Sequence, residues 1–189
     1  MKWTLLLLAP TLFVNAQLSV DKHSEPSENT IAKKVDPKLH AGAVRLVEVS
    51  GARQRLQDNF KQVVDDGAKQ MMEKCQRCTP EFGDEWKKRF LDRSNLQDYL
   101  DVYVRVYDKY FTDAEINELI ALQKDKGTSK AASPSPALKE KLASVMPDVM
   151  GDSMGGCAKI GAKLGAEIGS EIEREHPEYM KPPADENRR

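Results

Sequence analysis

The chain has 189 residues, 29 Lys and Arg against 30 Asp and Glu, and a formal net charge of −1. That balance argues against a nucleic-acid function, which calls for a basic face. Only 6% of the residues are aromatic and 31% are charged, which suits an open helical protein better than a compact β-rich one, and no strand-type alternation of useful length is present.

Met1-Lys-Trp-Thr is followed by an almost wholly apolar run from Leu5 to Val14, and Val14-Asn15-Ala16 has the compact residues a signal peptidase reads. Residues 1–16 are therefore expected to be a secretory signal peptide, cleaved between Ala16 and Gln17. The apolar run is shorter than the ~20 residues a membrane span needs. Cleavage would remove 16 residues and one Lys (Lys2), leaving 173 residues with 28 basic and 30 acidic side chains. The expected localisation is periplasmic or secreted, and nothing later in the chain is apolar for long enough to span a bilayer. Residues 17–35 are polar and read as a flexible leader.

A single helical domain is expected over 36–176. Asp36-Pro37 supplies a cap with Pro at the first helical position; Leu39, Ala43, Leu46 and Val47 make a short stripe that Ser50-Gly51 breaks. A second helix is expected from about Ala52 to Cys75, with Leu56, Phe60, Val63, Val64, Met71, Met72 and Cys75 at three- and four-residue steps. Its Met pair suits either core packing or an adaptable groove. Thr79-Pro80-Glu81 starts a third helix with Phe82, Trp86 and Phe90 four apart, a spacing that fits a core stripe and also a ligand-stacking platform.

Ser94-Asn95 opens a fourth helix. Its Leu96, Tyr99, Leu100, Tyr103, Tyr107 and Tyr110 form one band, suited to a half-buried face or to a partner groove. Thr112 followed by Glu115 is a capping box, and Phe111 with Ile116 a hydrophobic staple, so one helix should end near Tyr110 and the next begin at Asp113. Ile116, Leu119, Ile120 and Leu122 should face inward; Lys124, Lys126 and Gly127 look like a helix C-terminus. Ala131–Pro136 reads as a linker, Ser135-Pro136 as a cap, and Pro147 should kink or restart the helix that follows. Beyond Met150, Ile160, Leu164, Ile168 and Ile172 form a bulky stripe flanked by Gly161, Gly165 and Gly169, with Lys159, Lys163, Glu167 and Glu171 on the far side. Gly costs ~1 kcal/mol against Ala in a helix interior, so three at one spacing predict close approach by a neighbour, either the tyrosine-bearing helix or the same helix of a second copy. A polar, disordered tail is expected over 177–189.

The Tyr107-x-x-x-Phe111-Thr112-x-x-Glu115-Ile116 corner resembles a family of secreted bacterial proteins known only as a domain of unknown function, in which a helix ends in Tyr-x-x-x-Phe-Thr and x-x-Glu-Ile/Leu opens the next. Gly127 also fits that pattern, while Ala121-Leu122 and Lys124-Asp125 stand where the family often has an aromatic pair and Ser-Pro. The resemblance covers residues 95–173. It implies an all-helical fold and export, and it implies no activity.

Cys75-x-x-Cys78 has the spacing of a redox pair without the strand–helix context of a thioredoxin-like site. Cys157, His23, His40 and His176 do not stand at paired metal spacing, so no metal, cofactor or catalytic residue is assigned. A structural disulfide is expected, with Cys75–Cys78 favoured over a bridge from Cys157 to either. The fold class that follows is all-α, about six helices in antiparallel hairpins. The expected function is an exported, non-enzymatic module that binds an unknown protein partner or itself, with Gly161, Gly165, Gly169, Tyr99, Tyr103 and Tyr107 as contact surfaces. Two other readings are a membrane-surface protein using the glycine-rich last helix and a thiol–disulfide protein using Cys75 and Cys78.

Overall fold

The computed structural model describes residues 36–124 and 133–181. The expected signal peptide with its Ala16–Gln17 cleavage point, the leader over 17–35, the expected helix end at Lys126 and Gly127, and Ala131 and Ala132 of the expected linker lie outside the described residues. The protein is all-α: the described residues form six α-helices, α1 (Pro37–Val49), α2 (Ala52–Lys74), α3 (Pro80–Arg93), α4 (Leu96–Tyr110), α5 (Asp113–Lys124) and α6 (Pro136–Glu175), then a 3-10 turn at Pro177–Tyr179. The described chain divides into two compact units, each discontinuous in sequence, with α4 and α6 contributing to both. The first unit takes residues up to Arg53 and Leu100–Met154; the second takes Gln54–Tyr99 and the chain from Gly155.

In the first unit, α1 starts where the Asp36 carboxylate accepts from the Lys38 backbone N–H at 2.9 Å, and it ends at Ser50 before Gly51, whose φ of 71° favours glycine. α1 buries Gly42, Ala43, Leu46 and Val47. A Cβ on Gly42 would stand 3.0 Å from Ile116 Cγ2, so α1 lies close on α5. The capping box forms as its residues dictate: the Thr112 N–H donates to Glu115 Oε2 at 2.7 Å and the Glu115 N–H to Thr112 Oγ1 at 3.4 Å. Phe111 and Ile116 on either side are both buried. α5 and the first half of α6 run antiparallel. Glu118 accepts from the Ser135 backbone N–H at 2.6 Å, while Glu115, one turn earlier, meets Lys141 at 2.6 Å, one turn and a half later. Leu138, Leu142 and Val149 bury the inner face of α6 there.

The helix α4 is more enclosed than a single tyrosine band implies. Leu100, Val102, Val104, Val106 and Tyr107 are all buried, which takes in more than one side of the cylinder. The valines are too widely spread around the helix to register as a stripe, so an amphipathic reading passes over them.

In the second unit, Val64 and Ala68 of α2, Cys78, the α3 aromatics Phe82, Trp86 and Phe90, and Ile168 and Ile172 of α6 form one core. Phe60, Met71, Met72, Leu164, Tyr179 and Met180 pack on its margin. Met72 lies against Gly83, where a Cβ would meet its Cγ and Sδ at 3.1 Å, so this methionine serves the core.

Two boundaries depart from expectation. α6 is unbroken from Pro136 to Glu175, with Pro147 inside it; the residue neither ends nor restarts the helix. The helix tolerates it because Pro147 is on the exposed side, where water can serve the carbonyl its missing N–H leaves open. The disordered tail expected from Pro177 is overturned over its first residues, and residues 182–189 lie outside the described residues. Pro177–Tyr179 is a 3-10 turn, and Met180 forms an antiparallel bridge with Cys78. Hydrogen bonds to the backbone of Arg77 and Thr79 hold these residues, and a composition-based reading cannot see them.

Candidate functional site

The glycine face of α6 and the aromatic face of α3, two stripes apparent separately in the sequence, meet each other inside the second unit. They run antiparallel and in register. A Cβ at Gly169 would stand 4.0 Å from Phe82 Cζ, one at Gly165 2.9 Å from Trp86 Cζ2, and one at Gly161 3.9 Å from both Phe90 Cζ and the Tyr99 hydroxyl. The Trp86 indole N–H donates to the Gly165 carbonyl at 3.0 Å. Trp86 and Phe90 stack at 4.8 Å, and Phe60 touches Tyr99 edge-on at 5.6 Å. An approach too close for a side chain is therefore present at Gly165, and its partner is α3; at Gly161 and Gly169 a Cβ would make ordinary van der Waals contact. The tyrosine-bearing helix contributes only Tyr99.

This changes what the expected contact surfaces can do. Gly161, Gly165 and Gly169 are engaged by the chain's own aromatics, and Phe82, Trp86 and Phe90 are core side chains with no open ring face for stacking a ligand. Tyr99 is buried; burial raises its hydroxyl pKa, opposed by a hydrogen bond with Ser94. Tyr107 is buried in the first unit and tilts against Phe111 at 6.0 Å. Tyr103 is half-buried. The periodicity correctly marks a buried face, and the tyrosine tips are what make it read equally as a groove.

Cys75 and Cys78 form a disulfide with Cα atoms 5.4 Å apart. Cys75 packs at the margin of the core, as its place on the α2 stripe predicts, and Cys78 goes deeper. Cys75 is half-buried and Cys78, 5% exposed, is the one in the core. α2 closes at Lys74 and the chain turns, so Cys78 is carried inward. Cys157 is buried and lies outside the disulfide.

Charge is arranged in two sets. In the second unit Arg89 donates to Glu85 at 2.7 Å and to Glu175 at 2.8 Å, and Arg93 meets Glu171 at 2.6 Å. These guanidinium partners hold the carboxyls of Glu85, Glu171 and Glu175 below their ordinary range. Glu171 thus ties α6 to α3. In the first unit Asp152 accepts from Lys109 at 2.6 Å and from the Tyr110 hydroxyl at 2.8 Å, and both, Lys109 first, lower its pKa. His40 Nδ1 lies 2.8 Å from Asp108 Oδ2. Apart from the Glu85–Arg89 pair, which lies within α3, these contacts join one helix to another. Among the described residues no three His, Cys, Asp or Glu side chains gather at metal-binding geometry, and no helix is long and apolar enough to cross a membrane.

The surface that stands out was not singled out by periodicity. Met150 and Met154, four residues apart on α6, are 41% and 43% exposed. Gly151 lies beside them, and a Cβ there would meet nothing within 4 Å. The i, i+4 spacing of the two methionines is visible in the sequence, but the glycines just beyond them dominate the pattern. No family model matches the chain, and no curated protein or solved structure matches it either.

Proposed function

We propose that this protein is an exported, non-enzymatic helical module that binds a protein partner or a second copy of itself, and that it does so through the Met150–Met154 turn of α6. The supporting observation is that exposed pair with Gly151 open beside it. Large apolar side chains in a solvent-facing group mark interaction surfaces more often than isolated ones do, and methionine's flexible thioether adapts to varied partners. Gly151 costs the helix about 1 kcal/mol relative to Ala and no contact among the described residues requires it, whereas Gly165 is required by Trp86. A partner seated against the turn would supply the compensation.

The test is a Met150→Ser/Met154→Ser variant compared with the parent by light scattering and by cross-linking in the exported fraction. Loss of a dimer or of a cross-linked partner, with an unchanged melting temperature, supports the reading. An unaltered association state and partner set would sink it, and binding to vesicles in flotation would move the assignment to a membrane surface. Export itself is tested by the intact mass of the exported chain, which should begin at Gln17.

A further inference from the structure

We propose that the Cys75–Cys78 disulfide is a redox-released latch on the C-terminal segment Pro177–Lys181. The turn between the two cysteines presents its backbone to that segment. The Lys181 N–H donates to the Arg77 carbonyl at 2.7 Å, and the Thr79 N–H donates to the Tyr179 carbonyl at 2.9 Å. The Arg77 side chain adds a bond from Nε to the Lys181 carbonyl at 3.1 Å. Cys78 stands between these bonds and is itself the bridge residue opposite Met180. Its side chain is in the same core on which Tyr179 and Met180 pack. The segment thus docks on a three-residue edge whose shape is set by the disulfide at its centre.

A four-residue covalent loop constrains the unfolded chain little, so the bond has little leverage on the stability of the whole unit. Its leverage is local. With the bond intact, Cys75 at the end of α2 and Cys78 before α3 hold Arg77 in the turn and Thr79 in the extended conformation that the segment meets. α2 and α3 keep their own packing through Val64, Ala68, Phe82, Trp86 and Phe90, which does not depend on the bond. Opening it frees the edge and leaves the helices.

The chemistry is thiol–disulfide exchange with a dithiol. The dithiol's thiolate attacks Sγ of Cys75, the less buried of the two residues, because Cys78 is 5% exposed. The Cys75–Cys78 bond breaks, Cys78 leaves as a thiolate and takes up a proton, and a mixed disulfide remains on Cys75. The reductant's second thiolate attacks its own sulfur in that mixed disulfide, so Cys75 leaves and is protonated. Two electrons and two protons have passed to the protein, and the dithiol has become a cyclic disulfide.

Amide hydrogen exchange on the full chain, oxidised and then reduced with dithiothreitol, tests the latch. The Thr79 and Lys181 amides should exchange at least about tenfold faster after reduction, while interior amides of α3 and α6 keep their rates. A Cys75→Ala/Cys78→Ala variant should show the fast rates at both positions without reductant and no response to dithiothreitol. Equal exchange in the two redox states would overturn the proposal. So would an acceleration spread evenly through α3 and α6, which would make the bond a brace for the whole unit. A response to dithiothreitol that persists in the double variant would overturn it too.

Discussion

The indole N–H of Trp86 donates to the main-chain carbonyl of Gly165 at 3.0 Å, and the same ring lies 2.9 Å from where a Gly165 side chain would begin. A helix interior carbonyl already accepts from the amide four residues on, so the indole takes its second lone pair. It can reach that oxygen only because the residue has no Cβ. One absent methyl group therefore sets both the helix–helix approach and the hydrogen bond of a buried tryptophan.

Gly165→Ala should for this reason destabilise the protein by about 1–3 kcal/mol, the range for overpacking a well-filled core. The helix-propensity gain of Ala over Gly, about 1 kcal/mol, works in the opposite direction and is outweighed, because the stacked Trp86–Phe90 pair cannot swing aside as a long flexible side chain would. Gly67→Ala in α2 is the control: nothing lies within 4 Å of a Cβ there, so the same substitution should stabilise by about 0.5–1 kcal/mol. Urea melts of both variants give the two signs. Stabilisation by Gly165→Ala would show that α3 and α6 do not approach as described.

The two halves of this contact are legible in the sequence as separate stripes, and their meeting is not. Periodicity reports which residues share a face. It says nothing of which face opposes it, and α4, with its tyrosines, is as plausible a neighbour for the glycines as α3. The corner at Phe111–Ile116 is legible in full because a capping box is a local device whose two hydrogen bonds close within four residues. The docking of Pro177–Lys181 on Arg77–Thr79 lies at the other extreme. It joins positions about a hundred residues apart through backbone atoms, which every residue carries, so no side-chain pattern announces it. Cys78 follows the same logic: its spacing predicts the pairing with Cys75, whereas its depth depends on how the chain turns after Lys74.

The corner should be acid-sensitive through Glu115. Burial disfavours its ionised form, but the Lys141 ammonium at 2.6 Å and the Thr112 backbone N–H at 2.7 Å outweigh that and hold its pKa below the ordinary value of 4.5. A carboxyl whose pKa is lowered by folding contributes stability that is present above its unfolded pKa and is lost as pH falls through the folded one. The contribution of Glu115 should therefore be intact above pH 4.5 and fade below it. Glu115→Gln keeps a hydrogen-bonding side chain without the charge. Its melting temperature should be lower than the parent's near neutrality, and the gap should narrow as the pH is taken below that value. Thr112→Ala removes the other arm of the box and should cost about 0.5–2 kcal/mol at neutral pH. A pH-independent gap for the Gln variant would show that the charge of Glu115 does not support the corner.

Pro147 gives the most direct measure of whether α6 is one helix. It stands in the interior of an unbroken helix, on the exposed side. It lacks the N–H that would bond to the Ala143 carbonyl, and its ring crowds that carbonyl. Proline is about 3 kcal/mol less favourable than alanine in such a position. Replacing it also restores backbone freedom to the unfolded chain, which takes back about 0.4–1 kcal/mol. No buried contact is lost, since the side chain is exposed. Pro147→Ala should therefore stabilise the protein by about 2–2.6 kcal/mol, seen as a rise in the urea midpoint with an unchanged slope. The alternative is that the helix restarts at this residue, one of the two outcomes, kink or restart, that the sequence alone suggests. In that case Asp148 would begin a new helix, the Ala143 carbonyl would already be served by water, and alanine would restore no bond. A midpoint that stays put or falls would favour two helices over one and would separate the Leu138–Val145 segment from the Met150–Met154 turn.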